Sequence, residues 1–508
     1  MAERYEERLA ELMMGGSSNP LMTDGYKFSM AQAGFPMRRE TFYSGCRKGG
    51  PLYIPFDLER VVRAFLPKRL PDGKERGFLD AHGYGMTPAM ETALLGHVDI
   101  QCAPVGSWVL PKEPLFTVDG PSFLASWLEP LSIMLNFPLQ IATAIKTGDT
   151  EAFQTYIPSC SDEERIANLI GELMTPANSG WTFLTENPDL YQSLVRERGL
   201  AVIEALGGDA HRAFEVGMRA ATCMQQHRLA LEALKGIGIF NTSNVYLAWQ
   251  LYMIPVGTTG HEHQMRWSAV DNGDEAGFKA IRDMRREPPS YLFDTIDPMK
   301  VGIPTALKVM AEDPFRPCSM RFDSGDQDEQ LTTLIIGCTS QNADGRDYFY
   351  LTPNTIFEDG YTAEKTTANE AYCEDLGWPR KRRLYGYGGY WVGMSEMNPF
   401  GRNNVSAIFK LAMTGGVAVR KRSGTPGKDS LPGQPVIWRR CIGNEKGTFS
   451  LIGQAGEPVP TGYSPLGTVG TYLYTNTTDA TSEFSEGTKA LMRDCAAQWA
   501  QATVEAEG

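Results

Sequence analysis

Between residues 146 and 400, short apolar runs alternate with amphipathic stretches: AFEVG, GIFNTSN, MIPVGT, YLFDTID, MRFDSG, TLIIGC, TIFEDG and RLYGYGG. Each run ends in small or polar residues, and helical patterns follow most of them, as in DEAGFKAIRDMRRE (274–287) and VGIPTALKVMAED (301–313). This rhythm predicts successive βα units with parallel strands. In a closed barrel of such units, chemistry gathers where strands end and loops begin. Residues 1–145 mix helical patterns with stretches such as GSWVLPKEPLFTV (106–118), where Pro and Gly punctuate predicted strands. From 401 to 508 the pattern is again mixed α and β, and KRSGTPGKDSLPGQP (421–435) reads as an exposed segment. No short-period repeat or low-complexity tract interrupts these three regions.

Length makes a deep site affordable, because 508 residues exceed one ordinary core and suggest two domains or a large barrel with additions. With 42% hydrophobic residues, 21% charged and a net charge of −13, the chain reads as an acidic globular protein. That balance argues against general affinity for nucleic acid or an anionic membrane, which reward excess Lys and Arg. The N-terminal MAERYEERLAELMMGG alternates charges over a helical period and lacks the apolar centre of a signal peptide. No apolar stretch reaches the roughly 18–20 residues needed to span a bilayer. The nine cysteines are odd in number, widely spread and never arranged as CxxC, which fits reduced thiols in a cytoplasmic enzyme.

Candidate chemistry begins at GTTGHEHQMRW (257–267). On a helix His261 and His263 would point about 200° apart, whereas on a strand they would share a face and form a natural metal pair. A metal hydrolase draws three or four ligands from His, Asp, Glu or Cys. The chain has six histidines, and His82, His97, His211 and His227 form no second pair, so a chemically active histidine is preferred over a metal pair or a polar loop. In MRFDSGDQDEQL (320–331), Arg321 and Asp323 close an apolar stretch before a small-residue turn and a predicted helix. Backbone N–H groups in such a turn hold anionic oxygens, and the carboxylates of Asp323 and Asp326 suit Mg²⁺ or sugar hydroxyls. IFEDG (356–360) and YGYGG (385–389) repeat the theme, since Gly lets a backbone approach a ligand closely.

These stretches, in order, resemble the nicotinate phosphoribosyltransferases, within the type II phosphoribosyltransferases that include the nicotinamide enzymes. The likeness runs through NPLMTDGYKFSMAQA (19–33), TFYSGCRKGG (41–50), FEVGMRA (214–220), FNTSNV (240–245), GTTGHEH (257–263), FDTID (293–297), RFDSGD (321–326), EDG (358–360), YGYGG (385–389) and FKL (409–411). It implies an α/β fold: an irregular β/α barrel over 146–400, with an α/β domain built from the N-terminal segment 1–145 and a C-terminal segment 401–508 that returns to it. It also implies a homodimer with active sites completed across the interface. The implied reaction joins nicotinate to 5-phosphoribosyl 1-pyrophosphate (PRPP), giving nicotinate mononucleotide and pyrophosphate. ATP hydrolysis is coupled through a phosphohistidine, and Mg²⁺ accompanies ATP and PRPP.

Carried over residue by residue, His261 is similar to the phosphorylated histidine of the nicotinate enzymes, while the nicotinamide enzymes align theirs with His263; His261 is preferred. Asp294 resembles the carboxylate that orients this imidazole. Tyr26 resembles an aromatic that stacks on the pyridine ring, supplied by the neighbouring subunit, and Arg219 an arginine near the nicotinate carboxylate. The chain departs from the family pattern at Val216, which replaces a second stacking aromatic. Ser243 stands where nicotinamide enzymes carry Asp, and a neutral donor favours nicotinate over its amide. Phosphate and pyrophosphate contacts are expected from Arg47, Lys48, Arg321, Ser324, Gly325, Asp359, Gly360, Gly388, Gly389 and Arg402, and Asp323 is expected to bind substrate through Mg²⁺ or sugar hydroxyls. KRSGTPGK (421–428) is either a mobile loop near ATP or a connector. A nicotinamide enzyme, a metal-dependent barrel hydrolase and a non-catalytic metabolite-binding relative are the alternatives.

Overall fold

The computed structural model describes residues 5–149, 151, 188–270, 273–285, 287–341, 343, 345–394, 398–421, 429–440, 450–468 and 482–507. Seven strands form one parallel sheet, in the spatial order Ile254–Pro255, Asn241–Thr242, Ala213–Glu215, Arg383–Tyr387, Asn354–Phe357, Ser319–Phe322 and Ser290–Leu292. The last strand in sequence, Arg383–Tyr387, pairs with the first, Ala213–Glu215. The sheet therefore curls back on itself, as a barrel does. Closure fails only between Ile254–Pro255 and Ser290–Leu292, neighbours in sequence that are not paired. There Thr259 Oγ1 donates to the carbonyl of Ser290 at 3.3 Å.

Of the eight apolar runs expected as strands, seven fall in this sheet and one does not. TLIIGC lies in the helix Gln327–Cys338. Leu331, Leu334, Ile335 and Cys338 recur at helical spacing and are buried, and the Asp326 carboxylate caps the helix by accepting from the backbone N–H groups of Asp328 and Glu329. A continuous apolar run of this length does not by itself distinguish a strand from a buried helical face. Asp326 is exposed, caps this helix through Oδ1 and does not line the cavity at the carboxyl ends of the barrel strands.

A second, five-stranded sheet runs Val417–Ala418, Ala407–Thr414, Arg39–Cys46, Pro114–Pro121, Asp99–Cys102. Its central strand, Arg39–Cys46, is antiparallel to both neighbours, so a strand from beyond residue 400 lies directly beside one from the first fifty. A four-stranded sheet, Tyr463–Pro465, Pro435–Arg440, Ser450–Gln454, Ser482–Phe484, is tied to it by Arg439, which donates to Glu113 at 2.6 Å within the interior. The helix His261–Ser268 packs between the two sheets: Arg266 on it donates to both oxygens of buried Glu40, at 2.9 and 3.0 Å. That ion pair fixes the helix to the central strand of the five-stranded sheet. No helix among the described residues is long and apolar enough to cross a membrane.

The barrel interior is not filled by the usual layers of large side chains. Small polar residues, among them Asn241, Ser243, Ser290 and Ser319, line a lumen of about 440 Å³. Tyr26, Val216, Arg219, Arg321 and Glu358 line both this lumen and a second cavity at the carboxyl ends of the strands.

Candidate active site

The second cavity has a volume of about 430 Å³ and is bounded by strand-end residues of the barrel on one side and by the strand Ala407–Thr414 on the other. Its walls carry Lys27, Arg47, Arg219, Arg321, Arg402, Lys410 and Lys421 against Glu129, Glu262, Asp323, Glu358 and Asp359. An acidic chain has thus concentrated basic groups in one concave place. Such a surface focuses anionic ligands far better than scattered surface lysines do.

His261 begins its helix directly after Gly260 and opens into this cavity. The approach to it is tight: a Cβ on Gly257 would meet the backbone nitrogen of Tyr26 at 2.3 Å, so the loop can lie against the Tyr26 helix only without a side chain there. Nδ1 of His261 lies 3.0 Å from Thr295 Oγ1 and 3.7 Å from Asp294 Oδ1. Nε2 faces Asp323 Oδ2 at 3.1 Å and the Lys421 ammonium at 2.7 Å. A proton on Nδ1, shared with Thr295, leaves the Nε2 lone pair to accept from Lys421; this tautomer is assigned from the partners. Burial, and after it the Lys421 charge, lowers the imidazole pKa below its ordinary value, which keeps the ring neutral and nucleophilic near pH 7.

His261, Asp294 and Asp323 also offer one ligand atom each within 4.8 Å of one another, a donor set able to hold a cation. Lys421 Nζ already stands among them, 3.5 Å from Asp294 Oδ2. Asp294 Oδ2 accepts from Ser324 Oγ as well, which ties two strand ends together. Arg321 is similarly engaged: it donates to the Thr259 carbonyl, and its Nη2 donates to Asp323 and Glu358, each at 2.8 Å. Burial raises the Asp323 carboxyl, but the Arg321 guanidinium, with the Lys421 ammonium, outweighs it and holds the group well below the usual carboxylate range. Asp323 is therefore ionised near neutral pH.

Tyr26 lines the same cavity, beneath the Arg219 guanidinium, whose Cζ is 5.7 Å from the ring centroid. The Tyr26 hydroxyl donates to Glu129, and Arg219 Nη1 donates to the other oxygen of Glu129 at 3.3 Å. Ser243 Oγ donates to Asp24 Oδ1 at 2.6 Å. Burial lifts the Asp24 carboxyl to about 6, against the pull of Arg219. Lys410, half-buried, also lines the cavity, and desolvation brings its ammonium down to about 7.

The structure brings together His261, Tyr26, Arg47, Arg219, Arg321, Asp323, Ser324, Asp359, Gly360, Gly388, Gly389 and Arg402 on the one cavity. Asp294 stands behind it, buried against Ser324. Gly325, with φ of +82°, and Gly360, with φ of +72°, make the turns that present Ser324 and Asp359. Two expectations, His263 and Lys48, need correction. His263 is fully buried on the opposite side of its helix, Nε2 bonded to the Gly277 carbonyl at 2.8 Å, because two residues along a helix turn the side chain by about 200°. Lys48 is exposed and outside the cavity, its backbone N–H held by Val405. Ser243 has committed its proton to Asp24 and lines the lumen. Tyr26 lies against Gly260 of its own chain.

Sequence reasoning passed over Lys27, Glu129, Glu262, Thr295, Lys410 and Lys421. A signal existed for Glu129, the lone charge in the apolar run SFLASWLEPLSIMLNF (122–137), and for Lys410, within the quoted FKL. Lys421 was assigned to an exposed segment, yet it is buried, as are Ser430, Leu431, Pro432 and Gly433; residues 422–428 lie outside those described.

No family model matches the chain. Over 434 residues it is 28% identical to nicotinate phosphoribosyltransferase from Neisseria meningitidis serogroup B, covering 82% of this chain and 94% of that one. It is 22% identical over 474 residues to the Homo sapiens protein of the same name, covering 87% and 81%. The crystal structure of nicotinate phosphoribosyltransferase from Porphyromonas gingivalis superposes with a TM-score of 0.54 at 18% identity, covering 81% of this chain and 96% of that one, which speaks for the α/β fold. The chain resembles the nicotinate phosphoribosyltransferases along most of its length.

Proposed function

We propose that the chain is a nicotinate phosphoribosyltransferase of NAD biosynthesis, joining nicotinate to PRPP with ATP hydrolysis coupled through a phosphohistidine at His261. One observation carries the reading: a neutral imidazole and a tyrosine–arginine ring pocket open on the same cation-lined cavity. In the sugar step the pyridine nitrogen forms a bond to the ribose anomeric carbon while the bond from that carbon to the pyrophosphate oxygen breaks, and pyrophosphate leaves with the electron pair. Positive charge builds on the ribose, so catalysis is mainly positioning and stabilisation of the departing anion. Arg47, Arg402 and Lys410 are placed for the phosphates, and Tyr26 with Arg219 for the ring and its carboxylate.

In the coupled step His261 Nε2 would form a bond to the γ-phosphorus of ATP as the bond from that phosphorus to the β–γ bridging oxygen breaks and ADP leaves with the electron pair. Lys421 stands beside the ring to meet the new charge, and Thr295 accepts from the retained Nδ1 proton. The carboxylates of Asp294 and Asp323 fit Mg²⁺ arriving with a polyphosphate, a hard cation that takes oxygen ligands. Bound there, Mg²⁺ would neutralise phosphate charge, and the residues around it would orient the reacting groups. Because Ser243 gives its proton to Asp24, the preference for nicotinate rests on Arg219, with its planar fork and fixed charge.

A second reading, the nicotinamide enzyme, draws on Asp24, whose Oδ2 is buried without a hydrogen-bond partner beside Arg219 and could accept from an amide. Supplying nicotinate and nicotinamide separately with PRPP, and following pyrophosphate release, decides between the two. Turnover with nicotinate alone supports the first reading, turnover with the amide alone the second, and release with neither ends both.

A further inference from the structure

Lys27 follows Tyr26 in TDGYKF and is 1% exposed, an uncommon fate for a lysine. Its ammonium is 2.6 Å from Glu129 Oε2 and 3.0 Å from Glu262 Oε1. Glu262 follows His261 in the chain, and it also accepts from Ser126 Oγ. Glu129 itself, 5% exposed, receives three groups: the Tyr26 hydroxyl, the Lys27 ammonium and Arg219 Nη1. One carboxylate thus touches both ring-facing side chains and, through a single lysine, the turn that carries the histidine.

A core that merely tolerated Lys27 would need one carboxylate to pair it. Here there are two, 2.6 and 3.0 Å away, and they lead in different directions. Tyr26 has an aromatic ring free to tilt about its side-chain torsions, and Arg219 a long flexible stem. A stack and a bidentate contact to one small ligand require both held at once, and charge-assisted hydrogen bonds to a buried anion are the directional means of doing so.

We propose that Glu129 is the positioning residue of the ring pocket, fixing Tyr26 and Arg219 for the base and coupling that pocket through Lys27 and Glu262 to the His261 turn. It rests on the functional reading above. Glu129 touches no reacting atom; it acts through its neighbours. Loss of its charge leaves Tyr26 and Arg219 in place as residues but unfixed as a pair.

The test uses full-length protein and measures nicotinate affinity by equilibrium dialysis, the KM for nicotinate and for PRPP, and the melting temperature. Glu129→Gln keeps the shape and removes the charge. The expected result is a rise of about tenfold or more in the Kd and KM for nicotinate. The KM for PRPP should change far less, and Glu129→Asp should recover part of the nicotinate affinity. If Glu129→Gln folds poorly because buried Lys27 keeps only Glu262 as an anionic partner, Lys27→Met combined with it removes both charges. That double variant should recover the melting temperature without recovering nicotinate affinity. Unchanged nicotinate affinity in Glu129→Gln, or recovery of both properties in the double variant, would overturn the proposal, since Glu129 would then serve only to neutralise a buried lysine. Wild-type protein that bound no nicotinate would instead bring down the functional reading, and this inference with it.

Discussion

The ammonium of Lys421 lies 2.7 Å from Nε2 of His261, although 160 residues separate them. The contact joins the end of the C-terminal strand region to the first residue of a barrel helix, at the nitrogen that faces the cavity. It supplies a cation where a phosphorylated histidine would carry negative charge.

Lys421→Met should therefore act on both the resting and the charged ring. Burial and the Lys421 charge together hold the His261 pKa down, so removing the ammonium should raise it. NMR titration of the imidazole measures this directly. The ATP-stimulated part of the rate should fall by roughly tenfold or more, as for loss of one donor to a developing anion. A lowered imidazole pKa in the variant would show that the contact is not present in solution.

Lys410 gives the cavity a pH dependence of its own. Burial brings its pKa down to about 7, so its ammonium is present below that pH and is lost as pH rises through it. A bound polyanion favours the charged form. Pyrophosphate binding should accordingly weaken as pH rises above about 7, with close to one proton taken up per ligand, by calorimetry in buffers of different ionisation enthalpy. Lys410→Arg should flatten that dependence, because guanidinium stays charged.

His263 serves the fold and not the cavity. Its folded pKa is about 4, below the roughly 6.5 of an unperturbed imidazole, so the unfolded chain binds more protons between these values. Stability should rise with pH across that window and reach its full value above about 6.5. His263→Gln should remove this part of the dependence in denaturant titrations while leaving the ATP-stimulated fraction of turnover intact. Loss of ATP stimulation in this variant would return the phosphorylated role to His263.

Arg266 and Glu40 form an ion pair with side chains 2% and 0% exposed, between the His261 helix and the N-terminal sheet. Arg266→Met leaves a buried carboxylate unpaired. It should cost about 3–5 kcal/mol of stability in chemical denaturation. A loss below about 1 kcal/mol would mean that the helix is held chiefly by its apolar contacts.

Much of the barrel was legible because strand-forming runs carry their own punctuation. FDTID, RFDSGD and FEDG each end an apolar segment with small or acidic residues, and their carboxylates do stand at strand ends. TLIIGC was not legible, since three buried positions at helical spacing, Leu334, Ile335 and Cys338, sit inside a run that also suits a strand. The outcome at His261 and His263 turned on conformation: the same two letters share a face on a strand and oppose one another on a helix. Lys421 and Glu129 were hidden for a different reason. Their importance comes from contacts 160 and 103 residues distant, and local pattern carries no such information.

The most direct measurement is nicotinate mononucleotide formation from labelled nicotinate and PRPP, with and without MgATP, for wild type and His261→Ala. Product formation by wild type, stimulated by ATP, with the stimulation abolished and a residual ATP-independent rate retained in His261→Ala, is the predicted result. Equal stimulation in both proteins would contradict the assignment of His261, and absence of product from wild type would contradict the enzyme itself.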